Sequence, residues 1–199
     1  MPLSYISGGG LCLKWFSDIC RRSLKELDSQ TDPDETSEVP FFIPHFSGRT
    51  YPLDNKVSGA FLELHGNTDT KAMYRSILDS IAFEYKYYFD ILKKSGCIKG
   101  DTTVIGVGGG AKSAVFAQIK ANVLGSRYLV PRSTDSATVA MALLAAKSCG
   151  YIDRDLADIF KTDEQRAVIY LPNKSVEPIL AKKAEKYLDL LSGYSKYIK

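Results

Sequence analysis

The sequence predicts an α/β fold, and three observations predict it. A β-branched run, Thr102 to Val107, passes straight into Gly108-Gly109-Gly110 and then into a helical pattern. A second short strand, Tyr128-Leu129-Val130, closes at Pro131 and leads to an apolar helical run. A long stripe of 3.6-residue period, from about Thr68 to Lys94, precedes both. Helix, strand, glycine turn, helix, strand, helix is the order of an α/β layer, in which a ligand meets the strand ends.

Each element has its own warrant. Gly8-Gly9-Gly10 opens a helix carrying Leu11, Leu13, Trp15, Phe16 and Ile19, with Arg21, Arg22 and Lys25 toward an end near Leu27. Residues 28–38 are acidic, polar and Pro-containing, which makes a surface loop. Phe41 to Phe46 is extended, and Pro44 confines it to an edge or irregular strand. Residues 47–55 form a long turn in which Arg49 is an anion binder or, as a lone loop arginine more often is, a structural hydrogen-bonder. In the long helix, Tyr74, Ile77, Leu78, Ile81, Ala82, Tyr85, Tyr88, Phe89 and Leu92 share one face, and Gly96 ends it. Thr102 to Val107 suits a short buried strand. Val115, Phe116, Ile119 and Val123 then mark a helix up to Gly125. Thr134, Asp135 or Ser136 caps a helix through Val139 to Leu144 that is apolar on nearly every side and is therefore expected to be buried. From Asp153 follow a short helix, an extended Ala167 to Tyr170, and an amphipathic helix through Leu180, Ala184, Tyr187, Leu188 and Leu191.

Composition excludes several function classes. With 45% hydrophobic and 25% charged residues, the 199-residue chain is expected to be a soluble globular protein. No basic-then-apolar leader is visible and no apolar run can span a bilayer, so a cytoplasmic location and no membrane partner are expected. Cys12, Cys20, Cys97 and Cys149 lack CxxC spacing, and His45 and His65 are the only histidines, so neither a metal cluster nor a Ser/His/Asp triad is expected. The net charge of +3 belongs to the tail, where residues 174–199 hold six Lys against Glu177, Glu185 and Asp189. That surplus reads as a solvated helix face, and no nucleic-acid partner is expected.

The glycine turn is the chemical signal. Glycines at a strand-to-helix junction let backbone approach a ligand, and the first N–H groups of the following helix point at it, so phosphate or adenine fits. Gly106-Val107-Gly108-Gly109-Gly110-Ala111-Lys112-Ser113 comes within one residue of the Walker A pattern, but Ala111 stands where its second glycine must be. No apolar strand ends in a carboxylate to hold magnesium either. A degenerate P-loop NTPase is therefore set below the reading that follows.

Gly108 to Ser113, Gln118, Ala121-Asn122-Val123-Leu124-Gly125, Val130-Pro131 and the Ala-rich helix resemble the C-terminal adenine-binding part of the FGGY carbohydrate kinases. Phe41 to Arg49, Pro52, Gly59 to Leu62 and Tyr74 to Phe83 resemble that family's second signature region, and Gly10 with Lys14-Trp15 resembles its preceding Gly-x-x-x-x-Trp helix. The likeness covers about residues 8 to 150 in the family's order and is loosely xylulose-kinase-like. Departures from the family pattern are Glu63, Ser80 and Ala140 for glycines, Asn122 for aspartate, and Asp79 and Asp135 for glutamates.

The resemblance implies the actin-like, ribonuclease-H-like ATPase fold, seen as the C-terminal lobe of a two-lobed sugar kinase with its first strands apparently missing. It implies residues 1–150 as the nucleotide-side kinase lobe and 151–199 as an extension. It implies ATP and Mg²⁺ as cofactors, with Gly108, Gly109 and Gly110 along the nucleotide, Ser113 at adenine, and Gly10 and Lys14 near the phosphates. The general base and the sugar contacts are expected in an N-terminal lobe, on the same longer chain or a separate one. The lobe alone is expected to be inactive, and to self-associate or stay marginally stable until its uncovered edge is covered. The alternative class is a non-catalytic nucleotide- or partner-binding module that keeps the fold.

Overall fold

The computed structural model describes residue 6 and residues 8–99, 101–132, 135–156, 158–159 and 167–198. Helix α1 (Gly9–Cys20) is shorter than its pattern predicts: it stops at Arg21, whose φ of 51° is left-handed. The reason is Ser23, which starts a new helix, α2 (Leu24–Ser29), by a reciprocal capping box: its hydroxyl accepts the Glu26 N–H at 3.2 Å, and the Glu26 carboxylate accepts the Ser23 N–H at 2.7 Å. Cys12, Leu13 and Phe16 face inward, while Leu11 and Ile19 face solvent.

The acidic loop that follows is held by cations and amides. Arg75 donates to the carbonyls of Asp32 and Pro33, Lys71 pairs with Glu35 at 2.9 Å, and Lys183 donates to the carbonyls of Thr36 and Ser37 at 3.0 and 2.7 Å. Strand β1 (Phe41–Ile43) pairs antiparallel with β2 (Ala60–Leu62), Phe42 opposite Phe61, in a two-stranded sheet where both strands are edges, as Pro44 predicts.

Helix α3 (Thr70–Lys94) is the central beam. The Asp69 carboxylate accepts the Ala72 N–H at 2.8 Å to start it, and Gly96, at φ 73°, turns the chain after it. Its predicted stripe is the core, with Tyr74, Ile77, Leu78, Ile81, Ala82, Tyr88 and Phe89 buried. Tyr85 is half-exposed. The small Ser80 lets β1 approach, and its hydroxyl accepts the Phe42 N–H at 3.1 Å.

Strand β3 (Val104–Ile105) runs parallel to β4 (Tyr128–Val130), which pairs antiparallel with β5 (Val168–Tyr170), in the order β3-β4-β5. The expectation of a buried first strand is not met. Ile105 is 52% and Val107 51% exposed, because β3 is an edge with one neighbour and nothing covers its far side among the described residues. Between β3 and helix α4 (Ala114–Leu124) lies one 3-10 turn, Gly109–Ala111.

Helix α5 (Ser136–Ser148) is capped by Asp135, whose carboxylate accepts the Thr138 N–H at 3.3 Å; Thr134 lies outside the described residues. The expectation that α5 is buried is also wrong. Met141 is 68% exposed, and Val139 and Leu144 are exposed with it. Apolar composition predicts a need for cover, and the described chain provides only part of it, half-burying Ala140, Leu143 and Ala146. The short helix expected after Asp153 lies largely outside the described residues.

Helix α6 (Glu177–Tyr197) closes the molecule. Leu180, Ala184, Tyr187 and Leu191 are buried in one cluster with α1, β1 and α3, as the amphipathic pattern predicts. Lys182, Lys186 and Lys196 are exposed, while Lys183 turns to the acidic loop. A second, smaller cluster joins Phe89 of α3 to Ala117, Ala121 and Leu124 of α4 and to Tyr128 and Val130 of β4. Among the described residues no helix is long and apolar enough to cross a membrane.

Candidate functional site

Two helix starts open on one cleft. Gly8 caps α1 so close to β1's exit that a Cβ there would stand 1.7 Å from the Pro44 carbonyl oxygen, so only glycine allows the approach. The first N–H groups of α1 have no acceptor within the helix; Cys12 N–H is the first to reach one, the Gly8 carbonyl at 2.7 Å.

The second start is the glycine turn. Gly108 has φ 80° and ψ −170°, a region open essentially to glycine alone. Ser113 ends the turn as the cap of α4, its hydroxyl accepting the Phe116 N–H at 3.0 Å. A Cβ on Gly108 or Gly109 would meet nothing within 4 Å, so this backbone faces open space. Gly9, Gly10, Gly106, Val107 and Gly110 share the wall of a cleft of about 470 Å³, whose remaining sides are Tyr85, Tyr88 and Phe89 of α3, β3, and Phe116, Lys120 and Leu124 of α4.

Of the predicted site residues, the structure brings Gly10 and Gly110 to this cleft, with Gly108, Gly109 and Ser113 in the same turn. Lys14 is apart from the cleft's lining. It lies on the solvated side of α1 and pairs with Asp18, one turn on, at 3.0 Å.

Sequence reasoning missed Lys120. Its side chain is only 6% exposed, yet its ammonium meets no carboxylate among the described residues. Its Nζ lies 3.5 Å from the Gly110 carbonyl oxygen, 3.3 Å from the Tyr128 hydroxyl and 3.8 Å from the centre of the Phe116 ring. Burial pushes its pKa down to about 8. Burial, and then the neighbouring Tyr85 hydroxyl, push Tyr128 up to about 12. The signal was present: Phe116, Lys120 and Leu124 recur at i, i+4 and i+8, which puts the lysine on the helix face that carries the core.

Other motif residues turn out to be braces. Gln118 donates to the Leu171 carbonyl and to the Asn122 side chain, both at 2.8 Å. Asn122 in turn donates to Asp34 at 2.8 Å and accepts the Asn173 N–H at 2.9 Å. Arg49 is the structural hydrogen-bonder, held 3.1 Å from the fully buried Glu84, which also accepts from Tyr187 at 2.9 Å and lies 3.4 Å from His45 Nε2. Among the described residues no cluster of three His, Cys, Asp or Glu is arranged to hold a metal ion. What the cleft offers chemically is backbone donors, an open glycine turn and one buried cation, which is equipment for an anionic ligand.

The sequence profile described as "FGGY family of carbohydrate kinases, C-terminal domain" matches residues 6–149. Glycerol kinase 5 of Danio rerio is 31% identical over 173 residues, covering 85% of this chain and 32% of the relative. Glycerol kinase 2 of Saccharolobus solfataricus is 28% identical, over 71% of this chain and 29% of the relative. Among solved structures, Plasmodium falciparum glycerol kinase with ADP superposes at a TM-score of 0.73 with 18% identity, covering 92% of this chain and 37% of that one. Xylulose kinase from Rhodospirillum rubrum gives 0.72 with 18% identity, over 95% and 38%. These likenesses fix the fold as the actin-like C-terminal lobe of a two-lobed sugar kinase. The chain spans about a third of the length of the relatives it matches.

Proposed function

The chain belongs to the FGGY family of carbohydrate kinases, and from that premise we propose that it is the nucleotide-side lobe of an ATP-dependent kinase. The reaction is transfer of the γ-phosphoryl group of ATP to a hydroxyl of a pentulose or related polyol. One observation carries the reading: the first turn of α1, at Gly9 and Gly10, and the glycine turn that precedes α4, at Gly106 and Gly110, line the same cleft. Gly108, Gly109 and Gly110 run along the nucleotide, Ser113 stands at the adenine end, and Gly10 lies toward the phosphates. Lys14 stays in this set as a residue that must leave Asp18 to reach a phosphate.

Phosphoryl transfer needs an acceptor hydroxyl in line with the γ-phosphate and charge neutralisation around it. The residues at the cleft supply nucleotide positioning. The general base and the acceptor contacts are assigned to an N-terminal lobe on the same or a separate chain. The unpaired edge of β3 and the apolar face of α5 are the surfaces that such a lobe would cover. Residues 151–199 then form an extension whose helix α6 completes the core.

Calorimetry with ATP on the wild-type chain and on Gly109→Val tests the reading. A branched side chain in the open turn should weaken ATP binding by about tenfold or more at unchanged melting temperature. Equal affinities would remove the glycine turn from the site. In a coupled ADP assay with glycerol, xylulose and gluconate, the 199-residue chain alone should stay at background and gain turnover when a kinase N-terminal lobe is supplied. Turnover by the pure chain would place the base within it. ATP binding with no turnover under any complementation would favour the non-catalytic module.

A further inference from the structure

Lys120 is a buried cation that the fold supplies with hydrogen-bond acceptors but, among the described residues, with no counter-charge. The elements packed against it supply Tyr85 from α3, Tyr128 from β4, the Gly110 carbonyl from the glycine turn and the Phe116 ring from its own helix. These are oxygen dipoles and ring faces, and none carries a counter-charge. A buried ammonium normally has a carboxylate beside it, as Arg49 has Glu84 in the other half of the molecule. The side of Lys120 that remains open is the cleft, and across it stand the free N–H groups of α1's first turn, at Gly9 and Gly10.

We propose that Lys120 receives a phosphate group in this cleft, bridged between its ammonium and the N-terminal donors of α1. This rests on the nucleotide reading for the identity of the phosphate's carrier, and it adds a contact at a position outside the glycine motif. Phosphate fits better than a carboxylate because its several acceptor oxygens can satisfy a helix start on one side and an ammonium on the other. The bound anion favours the charged amine, so binding draws a proton onto Lys120 when the pH lies above about 8, the value to which burial pushes the free group.

The experiment is calorimetry on the 199-residue chain with pyrophosphate, adenosine and ATP, at pH 7 and 9. Lys120→Met should weaken pyrophosphate and ATP about tenfold or more and leave adenosine unchanged, while Lys120→Arg should keep most of the affinity. At pH 9 the wild type should take up a proton on binding pyrophosphate, read as a heat that depends on the buffer's ionisation enthalpy, and Lys120→Met should not. A measurement without any variant is pyrophosphate protection of Lys120 against acetic anhydride, read by mass spectrometry. Pyrophosphate affinity unchanged in Lys120→Met, or no protection, overturns the proposal and leaves the nucleotide reading standing if ATP still binds. Lys120-dependent pyrophosphate binding without adenosine or ATP binding keeps the proposal and overturns the nucleotide reading. Binding of none of the three overturns both.

Discussion

The half of the molecule built on α1, β1, α3 and α6 and the half built on the glycine turn, β3, α4 and α5 solve the same problem to different degrees. In the first, the aromatic cluster of Trp15, Phe16, Phe42, Phe46 and Phe61 packs ring on ring, and the buried charges are paired in place: Arg75 with Asp79 at 2.7 Å, and Glu84 with Arg49 at 3.1 Å. In the second, Lys120 has no counter-ion among the described residues, β3 has one neighbour, and Met141 and Leu144 face solvent. The difference separates a region selected for closure from one that keeps binding capacity. Unspent charge and uncovered apolar surface are costly in a free domain, and here Lys120 and the edge strand β3 both line the cleft.

The largest expected effect lies in the closed half. Glu84→Gln leaves Arg49 and His45 facing a neutral amide in the core, which should cost about 3 to 5 kcal/mol, the range for one partner removed from a buried ion pair. Urea unfolding measures it. A loss below about 1 kcal/mol would mean that this half is not held by its charges.

The second expectation is that both halves gain stability as the pH rises, each in its own window, one acid and one alkaline. Burial alone would raise the Glu84 carboxyl, but His45, Arg49 and the Tyr187 hydroxyl outweigh it and hold it below its ordinary 4.5. A depressed carboxylate gives stability that is complete above its unfolded value and is lost as the pH falls through the folded one. Lys120 is also depressed, from 10.5 to about 8, but as a base. Its folded form sheds its proton first, so stability rises between pH 8 and 10.5. Urea midpoints from pH 3 to 10 should show both limbs. Glu84→Gln should flatten the acid one and Lys120→Met the alkaline one.

The smallest effect on stability, within about 0.5 kcal/mol, is expected from Met141→Glu with Leu144→Glu, because these side chains already meet water. Their readout is light scattering. The wild-type chain should self-associate and the double variant should not. Equal scattering would show that α5 is not the adhesive face.

What was legible in the sequence follows from what each pattern encodes. The stripe of α3 and the inner face of α6 could be read because a 3.6 period records which side meets the core. The glycine turn could be read because Gly108 encodes backbone shape directly. The break after Cys20 escaped notice because Ser23 and Glu26 act through a local exchange of hydrogen bonds that hydropathy does not register. β2 was passed over as a strand, being only Ala60–Leu62, too short to establish alternation. Burial of α5 was misjudged because composition states a preference, and the neighbour that satisfies it must be supplied by the rest of the fold. Lys120 was passed over for the converse reason: on a face otherwise apolar, a single lysine reads as a solvated side chain until Phe116, Tyr85 and Tyr128 are seen around it.

The pairing of Glu84 with Tyr187 spans 103 residues. A ribosome adding about 5 to 20 residues per second releases the carboxylate roughly 5 to 20 seconds before the hydroxyl that completes its shell. Through that interval α3 carries an ionisable group on a face meant for the interior, beside Ile77 and Ile81, with the place of α6 still empty. The nascent chain therefore offers chaperones a long-lived apolar groove, and the order of synthesis makes the last helix the step that ends the wait.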